Sequence, residues 1–239
     1  MNGPRAMRWA TAALLAASVA VLGAALALKL AQSRWFDFRR IEIAGDVRHV
    51  SRAAVRAAIS GHLAGNYFTI RLDRARQAFE TLPWVAQASV RRIWPNRLRV
   101  TLTEHRALGQ WSDGRLLSDA GVIFVANPAE AEADGPLVSF SGPPAYAPDA
   151  VRNFRQLGAL LAPLRLRIVS VRISDRGSWR LTTTPQMQLE LGRDEPPGRL
   201  QQRLARIVSA YPVVMARLDG AATRFDARYS NGFAAARTR

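Results

Sequence analysis

The chain is expected to be an α+β protein with one transmembrane helix, a small β-α-α-β-β domain and a second, mixed β-rich domain with two helices. Three observations point there. Residues 9–28 carry no charge; two short segments on either side of Gly65 place apolar residues at helical spacing; and between residues 85 and 229 short runs alternate apolar and polar side chains.

Residues 1–8 read as a short tail and Trp9–Leu28 as the span. Twenty helical residues at 1.5 Å each cover about 30 Å, the thickness of a hydrocarbon core. Five Leu and two Val favour insertion, nine Ala are close to neutral, and Thr11 and Ser18 are the largest polar groups in the run. Ala25-Leu26-Ala27 resembles a signal-peptidase site, but signal cores run about 7–15 residues and this run is longer, so an uncleaved anchor is expected. Arg5 and Arg8 precede the span while Lys29, Arg34, Arg39 and Arg40 follow it, so the charge count does not favour a cytoplasmic amino terminus. Long folded domains cross largely regardless of charge, however, and an eight-residue amino tail cannot be the sole exported part of interest, so a cytoplasmic amino terminus with the rest outside is expected.

Residues 36–106 read as one domain. Phe38–Ile43 is a short strand ending at Gly45. Ser51 caps a helix whose Val55, Ala58, Ile59 and His62 share a face. Beyond Gly65, Asp73 offers a second cap, and Ala75, Ala78, Phe79 and Leu82 continue an apolar stripe until Pro83. Val85–Arg91 and Arg97–Glu104 are strands about a Trp94-Pro95-Asn96 turn, with Leu98, Val100 and Leu102 on one face.

Residues 107–239 read as the second domain. The turns Ser112-Asp113-Gly114 and Ser118-Asp119-Ala120-Gly121 mark a meander of short strands, and residues 126–136, small and acidic, read as a loop. Asp149–Leu161 is a helix with Val151, Phe154, Leu157 and Leu161 facing inward. Three strands follow, carrying Val169, Val171 and Ile173, then Trp179, Leu181 and Thr183, then Met187, Leu189 and Leu191. Leu200, Leu204, Ile207, Val208 and Tyr211 form the apolar face of a second helix, with Arg199, Arg203 and Arg206 read as solvated surface. The last strand is Thr223–Tyr229, with Phe225, Ala227 and Tyr229 on one side.

Composition narrows the chemistry. The chain has no Cys, which removes disulfides, thiolate metal sites and cysteine nucleophiles. Its net charge of +16 rests on 34 basic residues, of which Lys29 is the one lysine. The surplus is spread, at +4 over residues 1–35, +7 over 36–106 and +5 over 107–239, and a nucleic-acid binder concentrates charge on one face. No nucleic-acid partner is expected. Phosphate-loop, dinucleotide, nucleophile-elbow and zinc-protease motifs are absent. His49, His62 and His105 stand apart in sequence, and Glu104 and His105 point to opposite faces of a strand end. A non-enzyme with no catalytic residue, cofactor or metal is expected.

The order β-α-α-β-β directly after one span resembles a POTRA domain. It is carried by Phe38–Gly45, Leu82-Pro83-Trp84-Val85, Arg92-Ile93-Trp94-Pro95 and Val100–Glu104. Five further stretches resemble the FtsQ/DivIB family of bacterial cell-division proteins. They are Glu104-His105-Arg106-Ala107 with Trp111, Leu117–Gly121, Leu189–Asp194, Tyr211-Pro212 and Asp226–Gly232. The likeness covers nearly the whole chain from about residue 5. It implies a single-pass inner-membrane scaffold at the division septum, with its folded domains in the periplasm. Its partners would be FtsB-like and FtsL-like bitopic proteins at the terminal strand and other divisome members at the POTRA-like domain. By position, Arg228, Tyr229, Ser230 and Gly232 match the family's partner-binding stretch, with Ser230 and Asn231 competing for its serine position.

A sheet edge is the simplest way for such domains to bind protein, because its unpaired N–H and C=O groups template another strand. Thr223–Tyr229 is the expected edge, and Tyr229 and Phe233 add aromatic surface. The competing reading makes Phe225 and Tyr229 core residues of an internal strand. Two rival functions are a basic membrane-anchored module for anionic lipid or polymer and a secreted enzyme released after Ala27.

Overall fold

A computed structural model describes residues 3–31, 33–45, 47–59 and 66–237. The chain divides into two compact units, Met1–Glu104 and His105–Arg239.

Helix α1 runs Gly3–Ala31, beyond both expected ends of the span. Its membrane-length apolar stretch is Thr11–Leu30, shifted by two residues, and none of that stretch is buried. Thr11 Oγ1 donates to the Met7 carbonyl at 2.5 Å and Ser18 Oγ to that of Leu14 at 2.9 Å. The hydroxyls are therefore satisfied within the helix, as an apolar surrounding requires.

The rest of the first unit holds β1 (Arg40–Ala44), α2 (Arg52–Ile59), α3 (Leu72–Glu80), β2 (Val85–Ile93) and β3 (Arg97–Glu104). The sheet order is β1-β3-β2, with β1 parallel and β2 antiparallel to β3. Leu98, Val100 and Leu102 form its buried face against Val55, Ile70 and Phe79. Ser51 caps α2 as expected, its Oγ accepting the Ala54 N–H at 3.0 Å. Asp73 does not cap α3: the helix begins at Leu72 after Arg71, and the Asp73 carboxylate lies in the first turn, where the helix dipole favours it. His62 and Gly65, and the side chains of Ala58 and Ile59, lie outside the described residues.

Glu104, the last residue of β3, ties down the segment before α2. Its carboxylate accepts the backbone N–H groups of Arg48 at 3.0 Å, His49 at 3.0 Å and Val50 at 2.8 Å. The His49 ring stacks on Trp84, with centroids 3.9 Å apart. Burial pushes the Glu104 carboxyl upward, but these donors outweigh it and hold the group below the usual glutamate value. His105 follows the last residue of β3 and stacks on Phe124 of the second unit, with ring centroids 4.3 Å apart.

The second unit contains β4 (Ala107–Trp111), β5 (Leu116–Ser118), β6 (Ile123–Phe124), α4 (Pro128–Asp134), β7 (Val138–Ser141), α5 (Ala147–Leu161) and β8 (Arg167–Ile173). It continues with β9 (Ser178–Thr184), β10 (Met187–Arg193), α6 (Arg199–Arg217), β11 (Arg224–Asp226) and β12 (Ala234–Ala236). Among the described residues these strands form one sheet of nine, ordered β12-β11-β10-β9-β8-β7-β4-β5-β6. Helix α5 packs on β8, α6 on β10, and the two helices touch. Their buried faces, Val151, Leu157 and Leu161 with Leu200, Leu204 and Ile207, join Val171, Leu181, Leu189 and Phe225 in one core.

Four expectations are corrected. The loop over 126–136 contains α4, because the Asn127 side chain accepts the Ala129 N–H at 3.1 Å and Pro128 follows with a helix-compatible φ. The strand β7 was not expected, although it sits in mid-sheet between β4 and β8, parallel to both. Val169 faces solvent instead of the core, because the register of β8 shifts between Ile168 and Ser170 and reverses the alternation there. Arg203 and Arg206 are not a free solvated row: each donates to a backbone carbonyl.

Candidate partner-binding site

The terminal strand is where the structure departs most from expectation. The ladder covers Arg224–Asp226 instead of 223–229, and β11 is flanked on both sides. It pairs parallel with β10, Leu189 opposite Phe225, and antiparallel with β12, Phe225 opposite Ala235. Phe225 is fully buried and belongs to the core. A foreign strand therefore has no place beside β11. The outer position belongs to Ala234–Ala236.

Hydrogen-bond phase shows what β12 leaves open. The Gln188 N–H bonds the Thr223 carbonyl at 2.8 Å and the Ala227 N–H bonds that of Glu190 at 2.8 Å, so Phe225 between them turns its N–H and C=O toward β10, whereas the Thr223 N–H turns the other way and bonds the Ala236 carbonyl at 3.0 Å. Arg224 and Asp226 then turn theirs toward Ala236 and Ala234. By the same alternation the N–H and C=O of Ala235 point away from the sheet, into the open edge.

Ion pairs knit the neighbouring strands. Glu190, 4% exposed, accepts Arg180 Nε at 2.6 Å and Arg224 Nη2 at 3.5 Å, joining β9, β10 and β11. Asp226 and Arg228 pair at 2.6 Å. The Arg228 guanidinium holds the Asp226 carboxyl below the usual carboxylate range, against a smaller upward push from burial, and Asp226 in turn raises Arg228. Arg203 Nη1 reaches the Leu191 and Arg193 carbonyls at 2.6 and 2.9 Å. Gly192 makes room for it, since a Cβ there would lie 3.0 Å from that Nη1, and its φ of 75° suits the bulge between Glu190 and Gly192. Burial and the neighbouring Arg199 and Arg206 charges lower the Arg203 pKa. Arg193, Arg203 and Arg228 line a recess of about 460 Å³, and among the described residues Glu195 is the one acidic side chain of that lining.

The five expected site residues fall on or beside the turn between β11 and β12, in different roles. Arg228 is held by Asp226. Tyr229 is 59% exposed and lies outside the core. The Ser230 carbonyl accepts Arg206 Nη1 at 2.8 Å, so α6 braces the turn. Gly232 has open space where a Cβ would be. Phe233 packs half-buried on Phe225, with ring centroids 5.9 Å apart. Three contributors were missed. The alanines of β12 carry no strand signal, Arg206 looked like surface, and Asp226 bonds a residue two places along, which periodicity does not report.

Comparison with known proteins agrees with this architecture. Residues 36–105 match a family model described as POTRA domain, FtsQ-type, and residues 109–228 match the C-terminal domain of cell division protein FtsQ/DivIB. The second match ends before β12. The chain is 42% identical over 233 residues to cell division protein FtsQ of Burkholderia pseudomallei, covering 98% of this chain and 92% of that one. It is 39% identical to the FtsQ of Bordetella pertussis, covering 93% and 89%. The FtsQ of Coxiella burnetii is 30% identical, covering 87% and 83%. With both domain models in chain order behind an apolar helix, the chain belongs to the FtsQ/DivIB family of bacterial cell-division proteins.

Proposed function

We propose that the protein is a non-enzymatic scaffold of the division septum, anchored by α1 in the inner membrane with its amino terminus in the cytoplasm and both folded units in the periplasm. It holds FtsB-like and FtsL-like bitopic proteins by accepting a strand beside β12, while the POTRA domain engages other divisome members. The observation that carries this reading is that β12 is the outer strand of its sheet and leaves the Ala235 amide and carbonyl unpaired by its neighbour. Alanine side chains at 234–236 put no bulk or charge in the way of an incoming strand. Tyr229 supplies an exposed anchor, and the recess lined by Arg193, Arg203 and Arg228 suits an acidic partner side chain.

The test is co-purification of the full chain with its FtsB-like and FtsL-like partners after Ala235→Pro. Proline removes the outward N–H without touching the bonds to β11. Capture is expected to fall about tenfold or more, since at least one interchain bond and its neighbours are lost, with the melting temperature unchanged. Undiminished capture would exclude strand addition at β12.

A further inference from the structure

Between β1 and α2 the first unit has a recess of about 650 Å³ that the partner-binding reading leaves unused. Phe38 and Val55 contribute apolar floor; Arg39, Arg40, Arg52 and Arg56 stand exposed around it, and its described lining contains no acidic side chain. Aromatic contacts lead outward from that floor. The Phe38 ring lies 6.5 Å from Tyr67, Tyr67 lies 5.3 Å from Phe68, and Phe68 meets Phe36 edge-on at 4.9 Å. The Tyr67 N–H bonds the Phe36 carbonyl at 2.8 Å, fixing this cluster to the segment that follows α1. Phe68 is 50% exposed and Trp35 82%.

We propose that this recess docks the headgroup of an anionic phospholipid of the bilayer that holds α1, with the four arginines on its phosphate and Trp35 and Phe68 seated at the interface. The inference rests on reading α1 as a membrane span. Tether length supports it: Arg39 follows Leu30, the last residue of the apolar stretch, by nine residues, a reach of at most about 30 Å. Guanidinium groups bind phosphate in forked geometry, and aromatic rings with an exposed face favour the headgroup region. An acidic peptide added along β1 would use the arginines but leave the two exposed aromatic rings without a role.

The chain has no Cys, so Ala53→Cys on the exposed side of α2 gives a single dye position. The labelled full chain is reconstituted into vesicles of phosphatidylcholine alone, or with about one third phosphatidylglycerol, both carrying a headgroup quencher. Quenching is expected to rise with phosphatidylglycerol, to fall with added salt, and to drop about 25-fold or more in Arg52→Glu/Arg56→Glu, since each of the two basic residues near an anionic surface contributes about fivefold. The salt titration needs no variant and so stands even if that double substitution misfolds. Quenching independent of lipid composition in a chain that floats with both vesicles at high salt overturns the docking alone. A chain that floats with neither overturns the span and the docking with it. Composition-independent quenching together with dye protection by a Glu-rich peptide assigns the recess to a protein and overturns the lipid.

Discussion

Asp226 grips Arg228 three ways: its carboxylate accepts Nη2 at 2.6 Å, Nε at 2.9 Å and the Arg228 backbone N–H at 3.1 Å. This clamp falls where β11 ends, and it fixes the backbone from which Tyr229 projects outward. The exposed aromatic is thus placed by a local ion pair, while the paired strand beneath it is placed by the core residue Phe225.

Removing the clamp should loosen the turn more than the fold. Asp226→Asn is expected to cost about 1 kcal/mol or less in denaturant unfolding, because the Arg228 side chain is half exposed, yet to reduce partner capture several-fold. Asp226 has a depressed pKa, so its contribution is complete above the usual carboxylate value near 3.8 and is lost as pH falls through the lower folded value. Capture that is unaffected by Asp226→Asn would detach the clamp from binding.

Tyr229→Ala and Phe225→Ala separate binding from folding. Tyr229 is exposed, so its removal should leave the melting temperature within about 1 °C and weaken capture. Phe225 is wholly buried, and its truncation should cost about 3–5 kcal/mol. Equal destabilisation by the two would contradict their burial.

Glu190 should matter for stability out of proportion to its position near the sheet end. Glu190→Ala leaves Arg180 and Arg224 without their shared carboxylate, and a loss of about 2 kcal/mol is expected in urea unfolding. Glu190→Gln, which keeps an acceptor for one arginine, should recover part of that loss.

In the first unit, Glu104→Ala strips three backbone N–H groups of their acceptor and should cost about 3 kcal/mol. Since Glu104 titrates below its usual value of 4.5, this unit should be fully supported above that pH and weaken as acid carries the carboxyl through its depressed value. Hydrogen exchange at residues 48–50 reports it directly, and unchanged protection in the variant would show that Glu104 does not hold the segment.

Arg206 tests the brace from α6. Arg206→Ala frees the Ser230 carbonyl and should lower capture with little change in melting, since the lost bond lies at an exposed turn. A variant that binds normally would make the brace incidental.

Chain order and periodicity alone were enough to read the apolar helix, the β-α-α-β-β unit and most strands of the second unit. Charge-free length, helical spacing and alternation are local properties that survive without any knowledge of neighbours. The alternation of Phe225, Ala227 and Tyr229 was also visible, but an alternating strand reads the same whether one side or two are paired. The edge passed to Ala234–Ala236, three residues of weak strand preference that become a strand because β11 offers them partners. Val169 turned outward because a register shift in the middle strand of the sheet reversed its face, and Arg206 gained a partner because folding brought a carbonyl 24 positions away within reach. Which groups remain unpaired is a count of neighbours in space, and that count exists only once the sheet has closed.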